Sequence, residues 1–199
     1  MTHDNSIKLA APGAGLPPLE LFIARLVYPL QLRFGNKDSF RQLFQKERGA
    51  IGLLLEKLQS DEGEKRVLIK RPMGLEDSSR YWSIWMTLDH LRIVNDALSR
   101  IIPALSKGMI PPDAASIASV KPSAEVTAAV ASDYEASCDR FLKIAEGIKN
   151  LKTTARYSHP WFGPMDAYGW YALGCVHLGL HRVQIERILE GLHSPVSRN

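Results

Sequence analysis

Apolar residues recur along this chain at helical spacing, and no stretch alternates convincingly with a period of two. Pro17 and Pro18 open a short apolar helix over residues 19–34, which Pro29 should kink or break. The turn Gly35, Asn36, Lys37, Asp38 leads into a longer helix over 39–58, with Phe40, Leu43, Phe44, Ile51, Leu54, Leu55 and Leu58 as its stripe. Residues 60–66 read as a solvated loop, and 67–74 as an extended connector with a short strand-like piece. Ser83 is the expected N-cap of a helix reaching Leu105, ended by Gly108 and by Pro111 and Pro112. One face of that helix carries Ile84, Leu88, Leu91, Leu98 and Leu105. The adjacent face carries Met86, His90, Val94, Ala97 and Ile101. After a loop rich in Ala, Ser and Pro, Ser123 is expected to cap a helix running to 149, with Val126, Val130, Tyr134, Phe141, Ile144 and Ile148 inward. A second loop, residues 157–165, leads to Asp166, the expected cap of a last helix that ends near Gly191.

Four long amphipathic helices with mid-length connections specify an all-α fold: a four-helix bundle with an extra short N-terminal helix. Residues 17–193 form one domain without internal repeats. Residues 1–16, with Pro12, Gly13 and Gly15, read as a disordered tail, and 194–199 as a polar tail.

Composition narrows the function classes. With 45% apolar and 23% charged residues in 199, the chain has an ordinary globular profile. The formal charge of +4 comes from scattered Lys and Arg rather than a basic stripe, so nucleic acid is not an expected partner. Two cysteines, Cys138 and Cys175, make no disulfide framework and suit a reducing compartment. No apolar run approaches the roughly 20 residues of a membrane span, and the N-terminus lacks signal-peptide features, so a cytoplasmic location is expected.

The candidate chemistry lies in three histidines. His177 and His181 are four residues apart on the last helix, which places them one turn apart on one face with Trp170, Leu173, Leu180, Gln184 and Ile188. His90 lies inward on another helix. Neutral imidazole is the commonest protein metal ligand, and three such ligands with an open position describe a catalytic site better than a structural one. The rival reading makes them core histidines satisfied by hydrogen bonds, although each buried imidazole then needs its own partner. Three imidazoles suit zinc, nickel, iron or copper without choosing among them.

Glu47 falls within its helix stripe, between Phe44 and Ile51. It is a candidate fourth ligand, an acid supporting a ligand, or a base acting on metal-bound water; the preferred reading has it reaching solvent or pairing with an Arg. Gln184 is a second candidate for orienting the nucleophile. Asp89 points about 100 degrees from His90 and is read as a surface group. The cysteines are read as core packing, the tryptophans Trp82, Trp85, Trp161 and Trp170 as packing, His159 as ordering its loop, and His3 and His193 as exposed.

Three segments resemble the DinB-like superfamily of bacterial four-helix-bundle proteins. Arg80-Tyr81-Trp82-Ser83-Ile84-Trp85-Met86-Thr87-Leu88-Asp89-His90-Leu91 resembles the start of the family's second helix, with its ligand histidine. His159-Pro160-Trp161-Phe162-Gly163-Pro164-Met165 resembles the loop before the last helix in one branch. His177-Leu178-Gly179-Leu180-His181-Arg182-Val183-Gln184 resembles the paired-histidine segment. The resemblance covers about 38–192 and implies that His90, His177 and His181 are the metal triad. Two positions depart from the pattern: Leu180 stands where a second histidine often precedes the last ligand, and Gly169 where an acidic residue is common, so a capping box is absent.

The family includes enzymes that transfer low-molecular-weight thiols, a thiol-dependent isomerase and members without known activity. The resemblance therefore implies a metal-dependent transferase or hydrolase acting on a small molecule, with a His-held ion activating a thiol or water. The alternatives are a non-catalytic bundle with a vestigial or structural site acting through a partner interface, and peripheral membrane association through helix 19–34 with Arg25 and Arg33 at its edge. Membrane binding is the weakest, because so apolar a helix can equally pack on the bundle or in a homodimer.

Overall fold

The computed structural model describes residues 7–194. Its helices are α1 (Pro18–Phe34), α2 (Lys37–Leu55), α3 (Ile84–Ser106), α4 (Val130–Gly147) and α5 (Ala167–His193). Two short antiparallel ladders complete it: β1 (Val67–Leu68) with β2 (Tyr81–Trp82), and β3 (Tyr157–His159) with β4 (Gly163–Met165). The last four helices form the bundle. α5 packs on both α2 and α3, and α3 also packs on α4. Phe44 of α2 meets Phe141 of α4 at 5.0 Å between ring centres, and Arg48 binds Glu135 and Asp139, closing the fourth side. Among the described residues, no helix is long and apolar enough to cross a membrane.

Helix starts follow side-chain chemistry at three places. Asn36 and Ser39 form a reciprocal capping box before α2, and the Ser83 and Asp166 side chains accept the Met86 and Gly169 N–H groups at 3.1 and 2.8 Å. The α2 cap therefore lies earlier than the turn alone implies. Ser123 does not cap α4, which begins at Val130. Its N–H donates to Asp89 Oδ2 at 3.0 Å, and the preceding residues are drawn onto α3 by the contact of Val120 with His90. Asp89 is thus no surface group. It is 6% exposed and also accepts Arg92 Nη2 at 2.8 Å.

Of the expected kink or break at Pro29, the break does not occur, because α1 runs through it. One lost intrahelical donor is offset by anchors in the turn before it: Arg25 Nε donates to the Trp161 carbonyl, and Tyr28 hydroxyl to that of Gly169. The helix buries Tyr28 and turns its stripe outward, with Leu19 70%, Phe22 59%, Leu26 55%, Leu30 53% and Phe34 79% exposed. Packing of this stripe on its own bundle is therefore not what the fold does. Of the expected tail 1–16, residues 1–6 lie outside the described residues, as does His3. Residues 10–15 are held to the body, the N–H groups of Gly13 and Gly15 donating to Glu76 and that of Ala10 to Asp77. Of the expected tail 194–199, only Ser194 is described.

α5 approaches α3 closely at Gly174. A Cβ there would lie 2.6 Å from Leu98 Cδ1 and 3.0 Å from Phe141 Cζ, so any larger residue would have to displace both side chains. That contact sets the spacing of the two helices just beyond the histidines.

Candidate metal centre

α3 and α5 bring together the three histidines named from spacing. His177 Nε2 lies 3.2 Å from His90 Nε2 and 3.0 Å from His181 Nε2, and all three ligand atoms fall within 4.8 Å of one another. Donors sharing one ion at roughly 2.0–2.1 Å sit about 3.0–3.4 Å apart, so the donor set fits a single divalent cation.

The opposite ring nitrogens fix which atoms face inward. His90 Nδ1 lies 2.6 Å from the Val120 carbonyl oxygen, which only accepts, so Nδ1 carries the hydrogen and Nε2 the lone pair. His181 Nδ1 lies 2.6 Å from Gln184 Oε1, and Gln184 Nε2 donates to the Ser79 carbonyl at 2.8 Å, which sets the amide orientation. His181 therefore also presents an Nε2 lone pair. The one hydrogen His177 can offer at Nε2 serves only one of these two neighbours, whereas a cation satisfies all three. Hydrogen bonding at the far nitrogen is the usual way proteins orient histidine ligands.

Charge points the same way. Burial lowers the His90 pKa to about 4, against the hydrogen bond to Val120. His177 and His181 lie well below the ordinary histidine value, through burial and then through the neighbouring imidazoles. All three rings are neutral at neutral pH, as metal ligands must be. His90 and His181 are buried, while His177 is half-buried, its open side lining a cavity of about 900 Å³.

The other sequence candidates sort themselves. Glu47 stands away from the triad on the α2 side of α5. It is 7% exposed and bound to Arg182 Nε at 2.5 Å, the ion-paired alternative. Gln184 touches His181 directly. Cys138 and Cys175 are buried free thiols, and burial pushes the first up to about 12 and the second further, so neither is a ready nucleophile. His159 does order its loop, accepting the Trp161 N–H at Nδ1, and it also lines the cavity. His193 is exposed beside the Glu62 carboxylate.

Several supporting groups are not assigned to the site by the sequence reading, which gives Trp82 only as packing. Trp82 lies nearly parallel to His181, 9° between planes at 6.3 Å, and Lys121 Nζ sits 5.2 Å from the Trp82 ring. Lys121 also binds Glu76 at 2.8 Å and the Ser78 and Ser79 hydroxyls. Burial favours the neutral Glu76 acid, but Lys121, Ser78 and the N–H groups of Gly15 and Gly13 outweigh it and lower its pKa. The only legible signal for any of these is the place of Trp82 within the first histidine motif.

Comparison with known proteins agrees with this architecture. The structure of TT2238, a four-helix bundle protein, superposes with a TM-score of 0.55 over 75% of this chain and 97% of that one, at 16% identity, a likeness of fold alone. No curated protein matches the sequence. The model of the DinB superfamily matches residues 43–185, which contain all three histidines. The chain belongs to the DinB superfamily.

Proposed function

We propose that this protein is a metal-dependent enzyme of the thiol-transferase or hydrolase type, in which His90, His177 and His181 hold one divalent ion, zinc, nickel or iron. The observation that carries this reading is the convergence of three neutral imidazoles whose inward atoms lack protein partners adequate to all of them. A bound ion supplies Lewis acidity, lowering the pKa of a thiol or water so that its anion attacks a small-molecule electrophile. Gln184 holds the His181 ring through Nδ1 and is itself held by the Ser79 carbonyl. Val120 does the same for His90. Trp82 packs against the rings of His90 and His181, 5.3 and 6.3 Å between ring centres. A closed structural site would be filled by protein on every side, whereas His177 opens on a cavity of ligand size.

The test is metal content of untagged protein, followed by turnover of electrophile panels with water or low-molecular-weight thiols, with and without chelator. One ion per chain and chelator-sensitive turnover support the proposal. One firmly held ion without turnover supports the non-catalytic alternative with a structural site, and no ion in wild type under any condition leaves only the vestigial one.

We further propose that a second copy of the chain covers the outward stripe of α1. Residues 19, 22, 23, 26, 27, 30 and 34 form one continuous apolar face opposite Tyr28, and water is a poor neighbour for so wide a strip. Light scattering that reports a monomer at high concentration would remove the dimer.

A further inference from the structure

The cavity beside the triad has a shape and lining that say what it takes. On α3 the residues facing it are His90, Val94, Ala97, Ile101 and Ala104, alternating steps of four and three that keep to one helix face. At about 1.5 Å of rise per residue, the wall runs about 21 Å along α3 from His90 to Ala104. α5 supplies the facing wall in the opposite sense, from His177 through Leu173 to Trp170. The histidines thus close one end of a long slot whose walls are mostly aliphatic and aromatic, with Ser79, Ser116, Ser119 and His159 among them. Four charged residues also line it, two of them paired and two turned to solvent. Glu76 and Lys121 are bound to each other, and the side chains of Arg100 and Asp113 are exposed.

Resting on the metal-site reading above, we infer that the substrate is an elongated apolar molecule carrying one small donor head, a thiol or a carboxylate, at the end that meets the histidines. A highly charged thiol such as a peptide thiol would leave several ionised groups against apolar walls, where each costs free energy without a partner. An alkyl or aryl-alkyl chain would instead bury its length there. The two heads share this chemistry, and titration with each kind separates them.

The experiment is isothermal titration calorimetry on the zinc-loaded full-length protein with octanoate, decanoate and dodecanoate, with the matching straight-chain thiols, and with glutathione. For at least one head type, Kd should fall about two- to fourfold for each added methylene, with an increasingly negative heat-capacity change. Glutathione should bind more weakly than the longest chain of that type. Ala97→Trp, partway along the slot, should keep zinc uptake and erase the gain beyond octanoate, while Ala104→Trp should blunt only the longest chain. If a variant fails to fold, the wild-type series still decides. Affinity independent of chain length for both heads, or glutathione binding tighter than dodecanoate and dodecanethiol, overturns the inference. Should the protein take up no zinc, the metal reading fails, and the chain-length series on the metal-free protein still tests the slot.

Discussion

Where α5 meets α2, the carboxylate of Glu47 is closed off by Arg182; where α5 meets α3, the Nε2 atoms of His177 and His181 are left facing a third imidazole. Both faces bury polar side chains among apolar ones, at comparable cost in solvation. They differ in how the accounts close. Glu47 meets an opposite charge on its neighbour helix α5, and Arg182 also donates from Nη1 to Glu186. His90 and His181 are satisfied at Nδ1 by Val120 and Gln184, and all three histidines converge at Nε2. A buried group satisfied within the fold needs no ligand, whereas a set that converges with its lone pairs on one point can hold one.

The largest expected break of this contrast is His181→Ala or His177→Ala. Loss of an orienting partner alone costs up to about a hundredfold in metal affinity, so loss of a ligand should exceed that. Competition with a chromophoric chelator measures it. The gain in thermal stability on adding metal should vanish with it, since that gain depends on binding to the folded state.

Arg182→Ala tests the other face. It strands the Glu47 carboxylate and should lower stability by about 2–3 kcal/mol, below the full value for a buried pair because Arg182 is partly exposed. Urea denaturation reads this, with metal affinity unchanged. A double variant, Glu47→Met with Arg182→Met, should recover most of the loss. A change in metal affinity in Arg182→Ala would show that the two faces are not independent.

Gln184→Ala sharpens the distinction within the histidine face. It removes the acceptor that holds the His181 hydrogen at Nδ1 and should weaken metal binding about 10–100-fold. Gln184→Glu keeps an acceptor and should restore binding in part, an outcome a purely structural role would not produce.

The smallest effect concerns α1. Glu20 accepts from Arg71 and the Gly74 N–H, and the Arg71 hydrogen bond holds its pKa below the ordinary value against burial. A lowered folded pKa contributes stability that is present above the unfolded value of about 4.3 and lost as pH falls through the folded one. Hydrogen exchange should therefore show α1 amides loosening in acid before those of α3 and α5, and Glu20→Gln should abolish the pH dependence.

What was legible in the sequence follows from range. The Ser83 and Asp166 caps, the helix stripes and the facing of His177 with His181 are set within one or two turns, and period 3.6 exposes them. His90 joined them through its inward position and the family resemblance. The start of α4 was not legible, because Ser123 answers to Asp89 across 34 positions rather than to its own helix. The outward stripe of α1 was hidden for a similar reason: periodicity shows an apolar face without showing which way a helix docks. Residues 10–15 look like a tail by composition, yet Glu76 and Asp77 give their N–H groups partners that no local pattern reveals. The pairing of Glu47 with Arg182 was foreseen in kind, though its partner lies 135 positions away.

The most direct test of the account is cobalt(II) titration of the untagged, chelator-treated protein, followed by visible absorption. The account predicts saturation at one ion per chain, a ligand-field spectrum of low coordination number, and loss of that spectrum in His90→Ala, His177→Ala and His181→Ala but not in Arg182→Ala. A folded wild-type protein that shows no saturable cobalt spectrum, or one equally strong after any of the three histidines is removed, would contradict it.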